Sequence, residues 1–259
     1  MVNLKKYNAF SLHFVLFLTF LVFSSCGSKK YDVTKIEGKQ IKITTGISET
    51  AEIETFIKPY RENLDKDMNT VLAYAPETLD KSKGEWQTTI GNLMADVTLQ
   101  KSNYVFEKRE QKRIDICLLN HGGIRAMIPK GNVTTRTAFE IMPFENSVIV
   151  IALKGNQIQE IADYIIKEKK PHPLSGMTFT IDKTNLAKDI KVEGKPLENE
   201  TIYYVATSDY LANGGDNMLF FKKAVAKYDL DYKLRNVLID YFKEVDTIPI
   251  ITDKRIFKE

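Results

Sequence analysis

"SVIVIALKGNQIQEIADYIIKEKK", residues 147–170, carries two hydrophobic periods back to back. Its first seven residues form an apolar run rich in β-branched side chains, which reads as a strand. Past Lys154 and Gly155 the period lengthens, and Ile158, Ile161, Ala162 and Ile165 recur at the spacing of one face of an α-helix. Upstream, "IGNLMADVTLQK" (90–101) reads as a helix and Ile114–Leu119 as a strand. Downstream, "MTFTID" (177–182), "IKVEGKPL" (190–197) and "TIYYVATS" (201–208) read as strands, and a last helix is predicted near Asp231–Val245. Towards the N-terminus, "KQIKITTGI" (39–47) predicts a first strand. Ile53, Phe56, Ile57, Tyr60, Leu64 and Met68 predict an amphipathic helix over 51–68, with a kink or break at Pro59. Some strands are linked by helices and others by short turns. The fold class is therefore α+β with mixed sheets and packed helices, rather than a regular parallel βαβ array.

The first thirty residues have a different grammar. Lys5 and Lys6 precede an apolar stretch to Phe23, then two serines and Cys26. This predicts a lipoprotein signal peptide over 1–25, cleaved before Cys26, whose thiol takes the lipid. The alternative is a retained transmembrane anchor. Residues 26–37 read as a polar tether and 38–258 as one domain with a sizeable core. The expected location is the cell envelope, as a periplasmic or outer-membrane lipoprotein. Loss of residues 1–25 removes two lysines and takes the formal charge from +3 to +1, which gives no basic surface for nucleic acid. With Cys26 lipidated, Cys117 stands alone in its strand, so no internal disulfide forms and the thiol reads as a small buried hydrophobe.

Three turns next to strands concentrate polar and aromatic chemistry: "NHGGIR" (120–125), "MPFENS" (142–147) and "SDYLANGGDN" (208–217). Each uses glycine or proline to fix a turn beside hydrogen-bonding or aromatic side chains. Singly, each has an ordinary structural reading. Arg125 suits a solvated surface turn, Phe144 a core aromatic at a strand end, and Gly214-Gly215 a helix cap.

Taken together, and with "GNLMAD", "KGNVTT", "LKGNQI" and "YVATSDYLANGGDN", these segments resemble the C-terminal domain of the 5′-nucleotidase/UDP-sugar hydrolase family. The resemblance runs over roughly residues 40–250. It implies a substrate-recognition domain of that fold. Phe144 and Tyr210 would sandwich a base, with roughly 7 Å between ring planes, about twice a van der Waals contact. Asp216 would accept from ribose hydroxyls, Asn120 would meet the base edge and Arg125 the phosphate, with Asn146 a further polar contact to the base. Gly122 and Gly123 would clear space for the ligand, and Gly215 would be a further substrate-binding position. Two positions depart from the family pattern. Gly84 stands where many members carry a further arginine, with Lys83 as the neighbouring cation, and His121 stands where small residues are common.

The family's chemistry resembles two-metal phosphoester hydrolysis on an N-terminal metallophosphoesterase domain. Here His13 leaves with the signal peptide, while His121 and His172 lie in separate loops without H-x-H or D-x-H neighbours. His172, in "KPHPL", reads as a solvated proline turn. The expectation is that this chain binds no cofactor and has no catalytic residue or metal ligand of its own. Divalent metals would then sit on a separately encoded metallophosphoesterase partner. The alternatives are a stand-alone nucleoside- or nucleotide-binding envelope lipoprotein and, last, an autonomous phosphohydrolase.

Overall fold

In the computed structural model, which describes residues 4–23, 31–44, 46–47 and 50–259, the chain divides into two units, Met1–Ala51 and Glu52–Glu259. The first contains helix α1 (Leu4–Phe23) and a stretch, 31–44, without regular secondary structure. Among the described residues no helix is long and apolar enough to cross a membrane. Cys26 and the cleavage boundary before it lie outside the described residues.

Among the described residues the strand expected over 39–47 is not formed. Residues 39–44 join no strand, and Ile41 and Ile43 are exposed. Alternating side chains suit a pleat, but a strand also needs a neighbour to complete its hydrogen-bond ladder. Helix α2 (Ala51–Met68) forms as expected and runs through Pro59 without ending. Its apolar stripe is not taken into a core, however: the helix has no buried residue, Ile53, Phe56, Tyr60 and Leu64 are exposed, and Ile57 and Met68 are only partly covered.

From there the second unit runs β1 (Val71–Ala75), α3 (Thr89–Glu110), β2 (Ile116–Leu118), β3 (Gly131–Thr134), α4 (Thr135–Ile141), β4 (Ser147–Lys154) and α5 (Gly155–Glu168). It continues through β5 (Leu174–Ser175), β6 (Met177–Ile181), β7 (Ala187–Val192), β8 (Lys195–Pro196) and β9 (Ile202–Ser208). Helix α6 (Asp209–Ala212), β10 (Ala226–Lys233), α7 (Leu234–Glu244) and β11 (Ile256–Lys258) complete it. The final helix starts three residues later than expected because Asp231–Lys233 finish β10, where Lys233 pairs with Ser147.

The fold is α+β, with sheets of mixed direction. The main sheet has the order β10-β4-β9-β2-β5 and is parallel only between β9 and β2. A second sheet, β11-β6-β7-β8, and the β1-β3 pair stand apart from it. Strand β4 explains the unbroken apolar run. Val148 and Val150 pack into one core with Leu93, Phe106, Leu238 and Phe242. Ile149, Ile151 and Leu153 enter another with Ile158, Ile161, Ile165 and Phe179. A strand covered on both faces has no position for a polar side chain, and each buried isoleucine contributes about 1.5–3 kcal/mol. Cys117 is free and buried, and burial pushes its thiol pKa up, away from reactivity.

This topology gathers the three turns. Because β2 and β9 are parallel, Leu118 and Ser208 end their strands at the same edge of the sheet. Because β4 is antiparallel to β9, with Val148 opposite Ser208, β4 begins at that edge too.

Candidate functional site

The turn after β2 is held by its own short bonds. Asn120 O accepts from Gly123 N at 3.1 Å, closing a 3-10 turn over His121–Gly123. A Cβ on Gly123 would stand 2.6 Å from Asn120 Oδ1, so a side chain there would displace the asparagine. Arg125 N donates to Ile141 O at 2.8 Å, which ties this turn to the end of α4. The Arg125 guanidinium is exposed, donates to Gly122 O at 3.3 Å and lies 5.9 Å from the Phe144 ring centre.

The second turn, 142–146, is pinned from beneath by residues at the start of α7. Buried Arg235 donates through Nη1 to Pro143 O at 3.3 Å and Met142 O at 3.5 Å, and pairs through Nη2 with Glu145. Its guanidinium also sits 4.0 Å over the Phe139 ring. Lys233 Nζ donates to Glu145 O at 2.8 Å, and Leu234 N to Asn146 O at 2.9 Å. Held this way, Phe144 projects with 44% of its surface exposed.

In the third turn Ser208 caps α6 by accepting from Leu211 N at 3.2 Å, and Tyr210 projects from it 49% exposed. Gly214 has φ 89°, where glycine carries no Cβ penalty. A Cβ on Gly215 would come within 2.5 Å of the Tyr210 ring, so Gly215 is the floor on which that ring rests. Asp216 itself is left-handed at φ 50°, a conformation non-glycine residues hold only when neighbours enforce it. Those neighbours are present. Tyr210 Oη donates to Asp216 Oδ1 at 2.8 Å and Asn120 Nδ2 to Oδ2 at 2.7 Å. Tyr164 Oη donates to the Asp216 carbonyl at 2.7 Å.

The three turns enclose a cleft of about 660 Å³ lined by Asn120, Gly122, Gly123, Arg125, Phe144, Glu145, Asn146, Tyr210 and Asp216. Of the residues expected at a site, only Gly215 is absent from the lining, because it lies behind the Tyr210 ring. Phe144 and Tyr210 face the same space, and among the described ring contacts they do not touch each other. Glu145, Arg235, Lys233 and Asp209 went unread in the sequence. Charged residues flanking a strand are ordinary, and only the β10–β4 pairing shows what they hold.

The other flagged positions lie elsewhere. Gly84 lines a separate groove with Trp86 and Lys254, at φ 120°. A Cβ there would meet Gln87 O at 1.9 Å, so no arginine fits this backbone. Lys83 does not line the cleft. Lys81 does reach the first turn, where its Nζ donates to Ile124 O at 2.5 Å. His172, expected in solvent, is buried. It accepts from His121 N through Nδ1 at 3.3 Å and packs 5.4 Å from the Tyr164 ring, so the proline turn points its imidazole inward. Burial, then the nearby His121 and Lys170, push its pKa down to about 4. Burial first, with Lys81, lowers that of half-exposed His121 as well. Among the described residues no group of three or more His, Cys, Asp or Glu side chains converges to hold a metal ion.

The sequence profile described as "5′-nucleotidase, C-terminal domain" matches residues 71–223. An apyrase of Tabanus yao is 24% identical over 246 residues, covering 87% of this chain and 44% of the apyrase. A 5′-nucleotidase of Rattus norvegicus is 23% identical over 250 residues, covering 88% of this chain and 43% of that protein. The crystal structure of a 5′-nucleotidase precursor from Thermus thermophilus superposes with a TM-score of 0.67 at 26% identity, over 79% of this chain and 42% of that one. The chain thus spans less than half the length of these relatives.

Proposed function

The chain belongs to the 5′-nucleotidase C-terminal domain family, and from that premise we propose that its cleft recognises the nucleoside portion of a nucleotide for hydrolysis by a separately encoded metallophosphoesterase. One observation carries this reading: two half-exposed aromatic rings and a carboxylate share a single cleft without the rings touching. Exposed aromatic faces sit poorly in water and well against a base, and stacking is worth about 1–3 kcal/mol per base. Asp216 already accepts from Tyr210 and Asn120. Each of its carboxylate oxygens has a second lone pair, enough for two ribose hydroxyls. Arg125, exposed at the rim, offers the planar fork that suits phosphate, and Lys81 adds positive charge behind it.

Bond cleavage belongs to the partner in this reading. Divalent metals held there would activate the attacking water and neutralise the phosphate. The relatives' uncovered length leaves room for such a second half. Lipidation at Cys26 would tether the pair to the cell envelope. The purified chain is expected to release no phosphate from AMP with or without divalent cations, and to do so once the partner is added. Metal-dependent turnover by this chain alone overturns the division of labour. Cys26→Ser is expected to abolish lipid labelling and detergent partitioning, and a still-lipidated variant removes the anchor from the account.

A further inference from the structure

We infer that Asp209 is a specificity-determining residue, which orients Asn146 so that the cleft prefers bases bearing an exocyclic amino group. This rests on the nucleoside-binding reading of the cleft. The observation is a single carboxylate oxygen shared between the two loops that carry the aromatic rings. Asp209 Oδ1 accepts from Asn146 Nδ2 at 2.7 Å, across from the second turn, and from Tyr210 N at 2.8 Å within the third. One atom therefore sets both the position of the Tyr210 backbone and the rotation of the Asn146 amide.

The consequence follows from donor and acceptor chemistry. An asparagine amide has a donating and an accepting end, and which end faces a ligand is settled by what the other end meets. A carboxylate oxygen accepts, so the amide nitrogen of Asn146 turns to Asp209 and its oxygen is left for the cleft that Asn146 lines. The asparagine cannot translate to suit another ligand, because its backbone carbonyl is fixed by Leu234 N at 2.9 Å. An acceptor at that point complements an amino group on the edge of a base stacked between Phe144 and Tyr210. It leaves a base with no hydrogen donor there facing a bare oxygen. Asp209 does not line the cleft. It acts through Asn146 and is a positioning residue.

The test compares adenosine with purine riboside, which differ only by the 6-amino group, in calorimetric titrations of the full chain. Wild type is expected to bind adenosine about five- to tenfold more tightly, the size of one well-made neutral hydrogen bond. In Asp209→Ala the amide is free to turn, and the two ligands should bind within about twofold of each other. A merely structural role for Asp209 would weaken both ligands in proportion and leave their ratio unchanged, which overturns the inference. Equal affinity of the two ligands for wild type overturns it without any variant, and leaves the nucleoside-binding reading standing. Failure of every nucleoside and nucleotide to bind wild type overturns that reading and this inference with it.

Discussion

Asp216 concentrates the account at the scale of a single residue. Its backbone is left-handed, and its carboxylate and carbonyl are held by Tyr210, Asn120 and Tyr164. Strain of this kind persists where neighbours over-determine it, here at the mouth of the cleft. Asp216→Ala should weaken nucleoside binding by about 1.5–3 kcal/mol, the range for hydrogen bonds to a charged group. Asp216→Asn keeps one acceptor and should lose less. Unchanged affinity of both variants in calorimetry would remove the carboxylate from ligand recognition. Gly215 shows the limit of reading residues singly. The sequence placed it among the ligand-binding positions, whereas it packs against the Tyr210 ring and does not line the cleft.

At the scale of elements, the helix and strand periods around 147–170 were fully legible because burial on both faces of β4 leaves a pattern no loop imitates. The three turns were legible too, since glycine, proline and aromatic residues punctuate them. Two features could not be read. Residues 39–47 alternate like a strand, yet whether a partner edge exists is a property of the rest of the chain. The bonds from Lys233, Leu234 and Arg235 to the Phe144 loop depend on β10 pairing with β4 across some eighty residues of sequence. His172 was misread for a related reason: two prolines beside a histidine suggest solvent, but the ring packs on α5 through Tyr164. Its burial has a measurable consequence. The unfolded chain takes up a proton near the ordinary imidazole value of 6.5, whereas the folded chain resists until about 4. Stability should therefore be fully present above pH 6.5 and fall by about 2–3 kcal/mol as the pH drops towards 4. His172→Gln, which keeps an acceptor for His121 N, should flatten that slope in urea unfolding. An equally steep slope in the variant would assign the loss to other groups.

For the whole molecule, the parallel β2–β9 pair flanked by antiparallel β4 brings three distant turns to one sheet edge, and the cleft exists because of that order. The central claim is that Phe144 and Tyr210 are kept exposed for a base rather than for the core. Their alanine variants test it most directly, with adenosine affinity by calorimetry and folding stability by urea unfolding measured on the same samples. Each single variant should lose about 1–3 kcal/mol of binding, and the double variant less than the sum, because one base bridges both rings. Folding stability should shift by less than about 1 kcal/mol for rings this exposed. Unchanged adenosine affinity, or a folding loss of the roughly 3–5 kcal/mol expected of a core aromatic, would contradict the account.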